Sequence, residues 1–426
     1  MKTMMKYAIL AALIFSLFTT SCSRSKEAVN SVKKLPNTVV LEWNEIAFNA
    51  FGGPAYQHSL MASRINAMTH LAIHDAVNAV QPVYESYVFA GEDINADPIA
   101  AAASAAHTVL VNEMPGKKNL LDSALQKTLS SITDEAARKK GIELGKKAGY
   151  AIIEARNNDG SVGEVIGQIS HSVIAGVYQP VPPYNIFFAP HWENVKLFGL
   201  QSKDQFRSAP HPALNSAAYS SAFNEVKEVG SLNSPVRSAD QSAYAKFWYE
   251  FSEAGWNRVA RTVSANKKLN LVESARLFAL VNMALADSYI AGWDSKVHYN
   301  FWRPYTAIRN AANDGNNSTI PDAKWEPSEP TPPVHDYPST HSALGNAAAT
   351  VLANLLGDNT IFTMTSFTAM PVGSTRSFTS FSLAANENAD SRVMAGIHFR
   401  FSCEAGQQLG NKIGDWVANN HLKPLK

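Results

Sequence analysis

Residues 269–296 read LNLVESARLFALVNMALADSYIAGWDSK, with apolar side chains returning at intervals of three and four. That period gathers them on one face of an α-helix. The same spacing recurs in 58–80, 99–114, 134–158, 239–256 and 403–421, and alternating strand patterns are scarce. The chain therefore reads as all-α. Two long irregular stretches, 159–211 and 313–338, interrupt the helices; both are rich in Pro, and the first also in aromatic residues. Irregular connections of this length inside a compact domain usually carry function.

Length and charge narrow the field. The 426 residues suit one large helical domain or two to three average ones. With 37 basic and 36 acidic side chains, the balance gives no case for nucleic acid or an acidic membrane as the main partner. The chain begins MKTMMKYAILAALIFSLFTTSCSRSKEA, with Lys2 and Lys6 ahead of a short apolar run and then small residues. This is the pattern of a secretory signal. Its end at Cys22 resembles a bacterial lipoprotein signal, although Thr19 stands where Leu is usual. Residues 1–22 are thus expected as the signal and 23–38 as a polar tether. Residues 39–426 are expected as one helical domain, exported to the periplasm or cell envelope. The only other cysteine is Cys403, so a lipidated Cys22 leaves no intramolecular disulfide. No later segment reaches the ~18–20 apolar residues of a membrane span.

Three blocks of the C-terminal third concentrate basic and hydroxyl groups. In KVHYNFWRP (296–304), Lys296 and Arg303 lie two helical turns apart. Pro304 should end or bend that helix near Arg303. The aromatic neighbours, Trp293 among them, predict a semi-buried setting in which unpaired cations demand an anion. In YPSTHSALG (337–345), Ser339, Thr340 and His341 stand at the start of a helix. A helix N-terminus offers free N–H groups and a positive dipole end. In SRVMAGIHFRFS (391–402), Arg392 and His398 would not share a helix face, and Gly396 is expected to supply a break that turns both inward. Together the groups form a kit for one compact tetrahedral oxyanion. No Cys or carboxylate set nearby matches a zinc or magnesium site.

These blocks resemble the signature of the vanadium-dependent haloperoxidases and the related type 2 phosphatidic acid phosphatases: Lys, six residues, Arg-Pro; then Pro-Ser-Gly-His; then Ser-Arg, three residues, Gly, one residue, His, three residues, Asp. The contexts WDSKVHYNFWRPYTAIR (293–309) and TPPVHDYPSTHSALG (331–345) also look like soluble bacterial members of that family. The resemblance implies a fold of packed helix bundles and, in the haloperoxidases, a vanadate cofactor. It makes His398 the residue bonded to vanadium. Lys296, Arg303, Arg392 and Ser339 hold the oxygens with the amide of Thr340, His341 is the acid–base group, and Trp293 is a candidate wall of the pocket. The implied substrates are hydrogen peroxide and a halide, with iodide or bromide easier to oxidise than chloride, and an organic acceptor where there is one. In the phosphatases the same pocket takes phosphate, and His398 is the nucleophile. A third reading is an oxyanion-binding lipoprotein without turnover.

The sequence departs from the signature at two places. Thr340 replaces Gly, and its β-branch is expected to crowd the anion. Ser402 replaces the final Asp, where a carboxylate would fix the tautomer of His398. Val334 stands where fungal chloroperoxidases carry Phe, with His335 beside it. His70 and His74, four apart with Asp75, hint at a metal, but helix packing accounts for them better in the absence of a third ligand.

Overall fold

The computed structural model describes residues 34–168 and 174–425. The expected signal peptide and Cys22 lie outside the described residues. The end of the expected tether is docked: Pro36 pairs with Asn270, and the Leu271 amide bonds the Leu35 carbonyl at 2.9 Å.

Thirteen helices span the described residues. The first five are α1 (Thr38–Phe51), α2 (Ser59–Val80), α3 (Pro98–Glu113), α4 (Lys118–Ser130) and α5 (Glu135–Ala155). After a two-residue ladder, β1 (Ile166–Gly167) with β2 (Phe187–Phe188), come α6 (Ala217–Val229), α7 (Ala239–Phe247), α8 (Ser252–Asn266), α9 (Leu271–Tyr299) and α10 (Pro304–Arg309). The chain finishes with α11 (Thr340–Leu356), the hairpin β3 (Phe362–Thr365) and β4 (Thr375–Phe378), α12 (Phe381–Met394) and α13 (Arg400–Asn420).

Two bundles stand side by side, α2 with α3 and α5, and α9 with α11 and α13. Helices α2 and α9 join them, and one apolar cluster runs through both. Each bundle contains one very close helix pair, and the sequence shows how. Helix α5 carries Gly141, Gly145 and Gly149 on one stripe, and α13 carries Gly406, Gly410 and Gly414. A Cβ at Gly145 would stand 2.2 Å from the Ala101 carbonyl oxygen of α3. One at Gly410 would stand 2.1 Å from that of Ala343 on α11. Backbone meets backbone because the side chains are missing. The lysines of 138–147 face solvent on the other side of α5, as expected, but its glycines are buried.

Each of the two joining helices also holds a loop with a buried carboxylate. Asp75 on α2 accepts the amides of Tyr87, Val88 and Phe89. Asp287 on α9 accepts those of Phe198, Gly199 and Leu200. His70 bonds the Asn44 amide at 2.8 Å and His74 the Glu85 carbonyl at 3.0 Å, so this helix face packs and holds a loop.

The expected helix 239–256 is in fact two. It stops at Phe247 and resumes at Ser252, which leaves the Trp248 carbonyl free of a helical partner and available to the site described next. Helix α9 opens on a capping box, Asn270 with Glu273, and closes four residues before the expected end, with Asn300 in the left-handed conformation at φ 46°. Phe301–Arg303 then runs extended, and Pro304 begins α10. Lys296 and Arg303 therefore do not share a helix face; a turn brings them together.

Candidate oxyanion site

Four helix ends meet behind the segment 333–339: the C-terminus of α9, the N-termini of α10 and α11, and the C-terminus of α12. Lys296, in the last turn of α9, is 1% exposed. It donates to the carbonyls of His335 (2.6 Å), Pro338 (2.8 Å) and Asp336 (3.2 Å). The sequence led us to expect an unpaired ammonium; instead, its three protons fasten the loop that carries Ser339. Burial and the Arg303 charge hold Lys296 well below the ordinary lysine value.

Arg303, the N-cap residue of α10, works the same loop from the other side. Its Nε donates to the Val334 carbonyl at 2.7 Å, and Nη1 donates to the Ile397 carbonyl at 2.6 Å. Nη1 also lies 2.9 Å from His398 Nε2. A guanidinium only donates, so Nε2 of His398 must be unprotonated and present its lone pair. Burial pushes the His398 pKa well down, and the charges of Arg303, Lys296, Arg392 and His341 push it further. Every basic group the sequence singled out thus bears on one imidazole.

Arg392 reaches it because Gly396 breaks the chain as expected. Helix α12 ends at Met394, Gly396 takes φ 78°, and α13 begins at Arg400. A Cβ at Gly396 would meet the Gly230 carbonyl oxygen at 2.2 Å, so no other residue fits that turn. Arg392 is 3% exposed, and its Nη1 donates to the Trp248 carbonyl at 3.3 Å. Its Nε has no partner, and burial lowers its pKa to about 10. A buried guanidinium with an idle donor is the clearest demand for an anion among the described residues.

Ser339 is the N-cap of α11. Its Oγ accepts the Ser342 amide at 3.3 Å and the Ser342 hydroxyl at 3.0 Å, while its own amide bonds the Ser402 carbonyl at 2.8 Å. Thr340 and His341 occupy the first two helical positions, whose N–H groups have no partner within the helix. Thr340 does not crowd this end as expected. Its side chain lies over Gly292 of α9, where a Cβ would come within 2.9 Å of its methyl and 3.1 Å of its hydroxyl. A missing side chain on one helix accommodates the extra one on the other.

His341 Nε2 donates to the Trp248 carbonyl at 2.7 Å, the oxygen that also accepts from Arg392. A carbonyl only accepts, so Nε2 carries the proton and Nδ1 is the basic atom. Burial and the Arg392 charge hold this imidazole well below its ordinary value. Trp293, one turn before Lys296, donates its indole N–H to the Phe188 carbonyl at 3.2 Å. It holds the covering loop and so has no N–H left for an anion. From that loop Tyr178 and Phe187 enclose the His335 ring, with centroids 4.6 and 4.4 Å away. Val334 is buried beside it.

Two partners were not foreseen. One is the Trp248 carbonyl. The other is Asp336, fully buried, whose Oδ1 lies 2.9 Å from His398 Nδ1 and 3.9 Å from Arg303 Nη1. Ser402 donates its hydroxyl to Asp336 Oδ2. Burial raises the Asp336 carboxyl, against the pull of Arg303. An acidic residue inside a run otherwise apolar or basic, VHDYP, was the available signal.

No cluster of three His, Cys, Asp or Glu able to hold a metal cation occurs among the described residues. Two guanidiniums, a lysine, helix-start amides and a bare imidazole nitrogen suit an oxyanion of vanadium or phosphorus bonded through one histidine. Comparison with known proteins agrees. Residues 276–426 match the family model described as the VCPO second helical-bundle domain. A solved structure described as the first bacterial vanadium-dependent iodoperoxidase superposes with a TM-score of 0.78 at 26% identity, covering 92% of this chain and 98% of that one. This chain is a relative of the vanadium haloperoxidases. The holo form of a bacterial vanadium-dependent chloroperoxidase shares the fold, with a TM-score of 0.68 at 16% identity over 86% of this chain and 93% of that one. Vanadium chloroperoxidase of Curvularia inaequalis is 24% identical over 386 residues, 73% of this chain. This chain covers 63% of that haloperoxidase's length.

Proposed function

We propose that this protein is a vanadate-dependent haloperoxidase that oxidises iodide or bromide with hydrogen peroxide. The observation that carries the reading is the bare Nε2 of His398, set in a field of three buried cations. When bound there, vanadate supplies the Lewis acidity that activates peroxide for attack by a halide. His398 Nε2 would hold the vanadium once Arg303 Nη1, which donates to it here, turns to the oxygens. Arg303 and Arg392 hold the oxygens, with Ser339 and the first amides of α11. Lys296 contributes charge while it fastens the loop. His341 moves the proton at Nδ1, since its Nε2 proton is anchored on Trp248. Val334, buried on the loop whose carbonyl Arg303 holds, is the candidate apolar contact for a large, weakly hydrated halide. The likeness to a bacterial iodoperoxidase over nearly the whole chain supports iodide first.

We further propose that residues 39–426 act as one domain, exported and held at the cell envelope by a lipid on Cys22. The support is the apolar cluster common to both bundles for the single domain, and the N-terminal sequence alone for export and the lipid.

The deciding experiment loads the purified protein with orthovanadate, dialyses it, and follows iodide and bromide oxidation by hydrogen peroxide against a phosphate-buffered, vanadate-free control. Turnover that needs vanadate, and that His398→Ala abolishes, bears the proposal out. Phosphomonoester hydrolysis inhibited by vanadate, without halide oxidation, would transfer the site to the phosphatases. Neither activity would leave an oxyanion-binding protein.

A further inference from the structure

The family signature ends on an Asp four residues after the histidine that bonds vanadium, and here that place holds Ser402. The carboxylate has not been lost. We propose that Asp336, on the loop before Ser339, is the residue that orients His398, and that Ser402 holds Asp336 in place for that task.

His398 is constrained from both sides. Arg303 Nη1 at 2.9 Å requires a bare Nε2, which puts the proton of the neutral ring on Nδ1. The nearest acidic atom to Nδ1 is Asp336 Oδ1, at 2.9 Å. The two atoms are within reach but not aligned as a hydrogen bond, and neither has a hydrogen-bond partner. A buried N–H and a buried carboxylate oxygen with no alternative belong to each other. The other carboxylate oxygen accepts from the Ser402 hydroxyl, and the Asp336 amide donates to the Phe301 carbonyl at 2.9 Å, so the residue is fixed at both ends. Its carbonyl accepts from Lys296. The carboxylate therefore rides on the same loop as Ser339, and the one ammonium that fastens this loop sets the orienter and the anion-facing hydroxyl together. Asp336 touches neither substrate nor cofactor; it is a positioning residue. Such partners of a metal-bound histidine fix its tautomer and raise its basicity.

This inference rests on the proposed function only for its choice of ligand. The test uses the full protein without vanadate, then with orthovanadate as the probe. The variants are Asp336→Ser, Ser402→Ala, and the exchange Asp336→Ser with Ser402→Asp. Two quantities are read: the ¹⁵N shifts of the His398 ring in the vanadate-free protein, and the vanadate dissociation constant by equilibrium dialysis. In the wild type the ring should show one tautomer, protonated at Nδ1. Asp336→Ser should move the His398 Nδ1 resonance, because that proton loses the carboxylate facing it while Arg303 still keeps Nε2 bare, and should weaken vanadate binding by roughly 10- to 100-fold. The exchange, which returns a carboxylate to the other side of the same pair, should recover most of both. Unchanged shifts and affinity in Asp336→Ser would overturn the assignment, as would a loss that the exchange does not recover. Should Asp336→Ser not fold, Ser402→Ala decides: a displaced His398 Nδ1 resonance supports the inference and a wild-type spectrum refutes it. Wild-type protein that binds vanadate but oxidises no halide removes the haloperoxidase reading and leaves this test intact. If it binds no vanadate, the ¹⁵N shifts still decide the role of Asp336.

Discussion

Placing a methyl group on Gly406 should harm catalysis far more than it harms folding. The Cβ of Gly406→Ala would stand 2.2 Å from the Ser339 carbonyl oxygen. An ordinary carbon–oxygen contact needs about 3.3 Å, so α11 and α13 must part there by about 1 Å. Overpacking of this kind costs about 1–3 kcal/mol, and the better helix propensity of Ala returns up to about 1. The net loss of stability should be about 1–2 kcal/mol. The Ser339 carbonyl, however, belongs to the residue that caps α11, so the displacement passes straight to its hydroxyl and to the Thr340 amide. A misplacement of about 1 Å can cost roughly 100-fold in rate. Gly414→Ala is the control. Its Cβ would meet the Ala347 carbonyl oxygen and Thr350 Cβ, each at 2.7 Å, two turns further from the site. It should lose comparable stability and keep its rate. Urea unfolding gives the first quantity, and vanadate-dependent iodide oxidation per folded molecule the second. Wild-type stability and rate in Gly406→Ala would show that the helices are not in contact there. Equal loss of rate in both variants would show that the whole helix pair, rather than the Ser339 turn, governs the site.

Other expectations concern charge and packing away from that seam. Burial, helped by the Arg261 charge, pushes His70 down to about 3, so its contribution to stability is present above the unfolded value of 6.5 and is lost as pH falls towards 3. His70→Gln should flatten the acid limb of the stability–pH curve, by up to roughly 4 kcal/mol at pH 3. Glu253 has the opposite sign. Burial lifts it to about 7, so its stabilising share is present below about 4.5 and lost as pH rises through 7. Glu253→Gln, still able to bond Tyr56 and Tyr289, should raise the urea midpoint more at pH 9 than at pH 5. Asp159 bridges Arg64 at 2.8 Å and Arg156 at 2.9 Å, all three buried, and Asp159→Ala should cost about 3–5 kcal/mol in the same assay. Gly292→Ala should destabilise by about 1–3 kcal/mol through its clash with Thr340, and most of that should return in the double variant with Thr340→Gly.

What could be read from the chain alone follows from the kind of interaction involved. The three basic blocks were legible because charged and hydroxyl groups sat at short fixed spacings in apolar surroundings. The break at Gly396 was legible because glycine announces a turn. The split between α7 and α8 was not, since residues 248–251, WYEF, contain neither Gly nor Pro and continue an apolar pattern. That split creates the free Trp248 carbonyl, so the anchor of His341 and Arg392 was hidden with it. The partners of Lys296 are backbone carbonyls, which every residue owns and which only the tertiary fold selects. Helix α12, FSLAANENADSRVM, has too weak an apolar stripe to stand out. Asp336 lies sixty-two residues from His398, and nothing local ties the two together.

The space shared by Thr340 and Gly292 has a use beyond this molecule. A Cβ at 292 would meet the γ-atoms of residue 340 at 2.9 and 3.1 Å but its Cβ at an ordinary 3.5 Å, so a side chain at 292 excludes a branched one at 340 and the two should covary. A chain with a β-branched residue before the histidine of the second block should have glycine four residues ahead of the lysine of the first. A chain with glycine before that histidine is free to fill the other place. Relatives could be sorted on this one pair of letters before any of their structures is known.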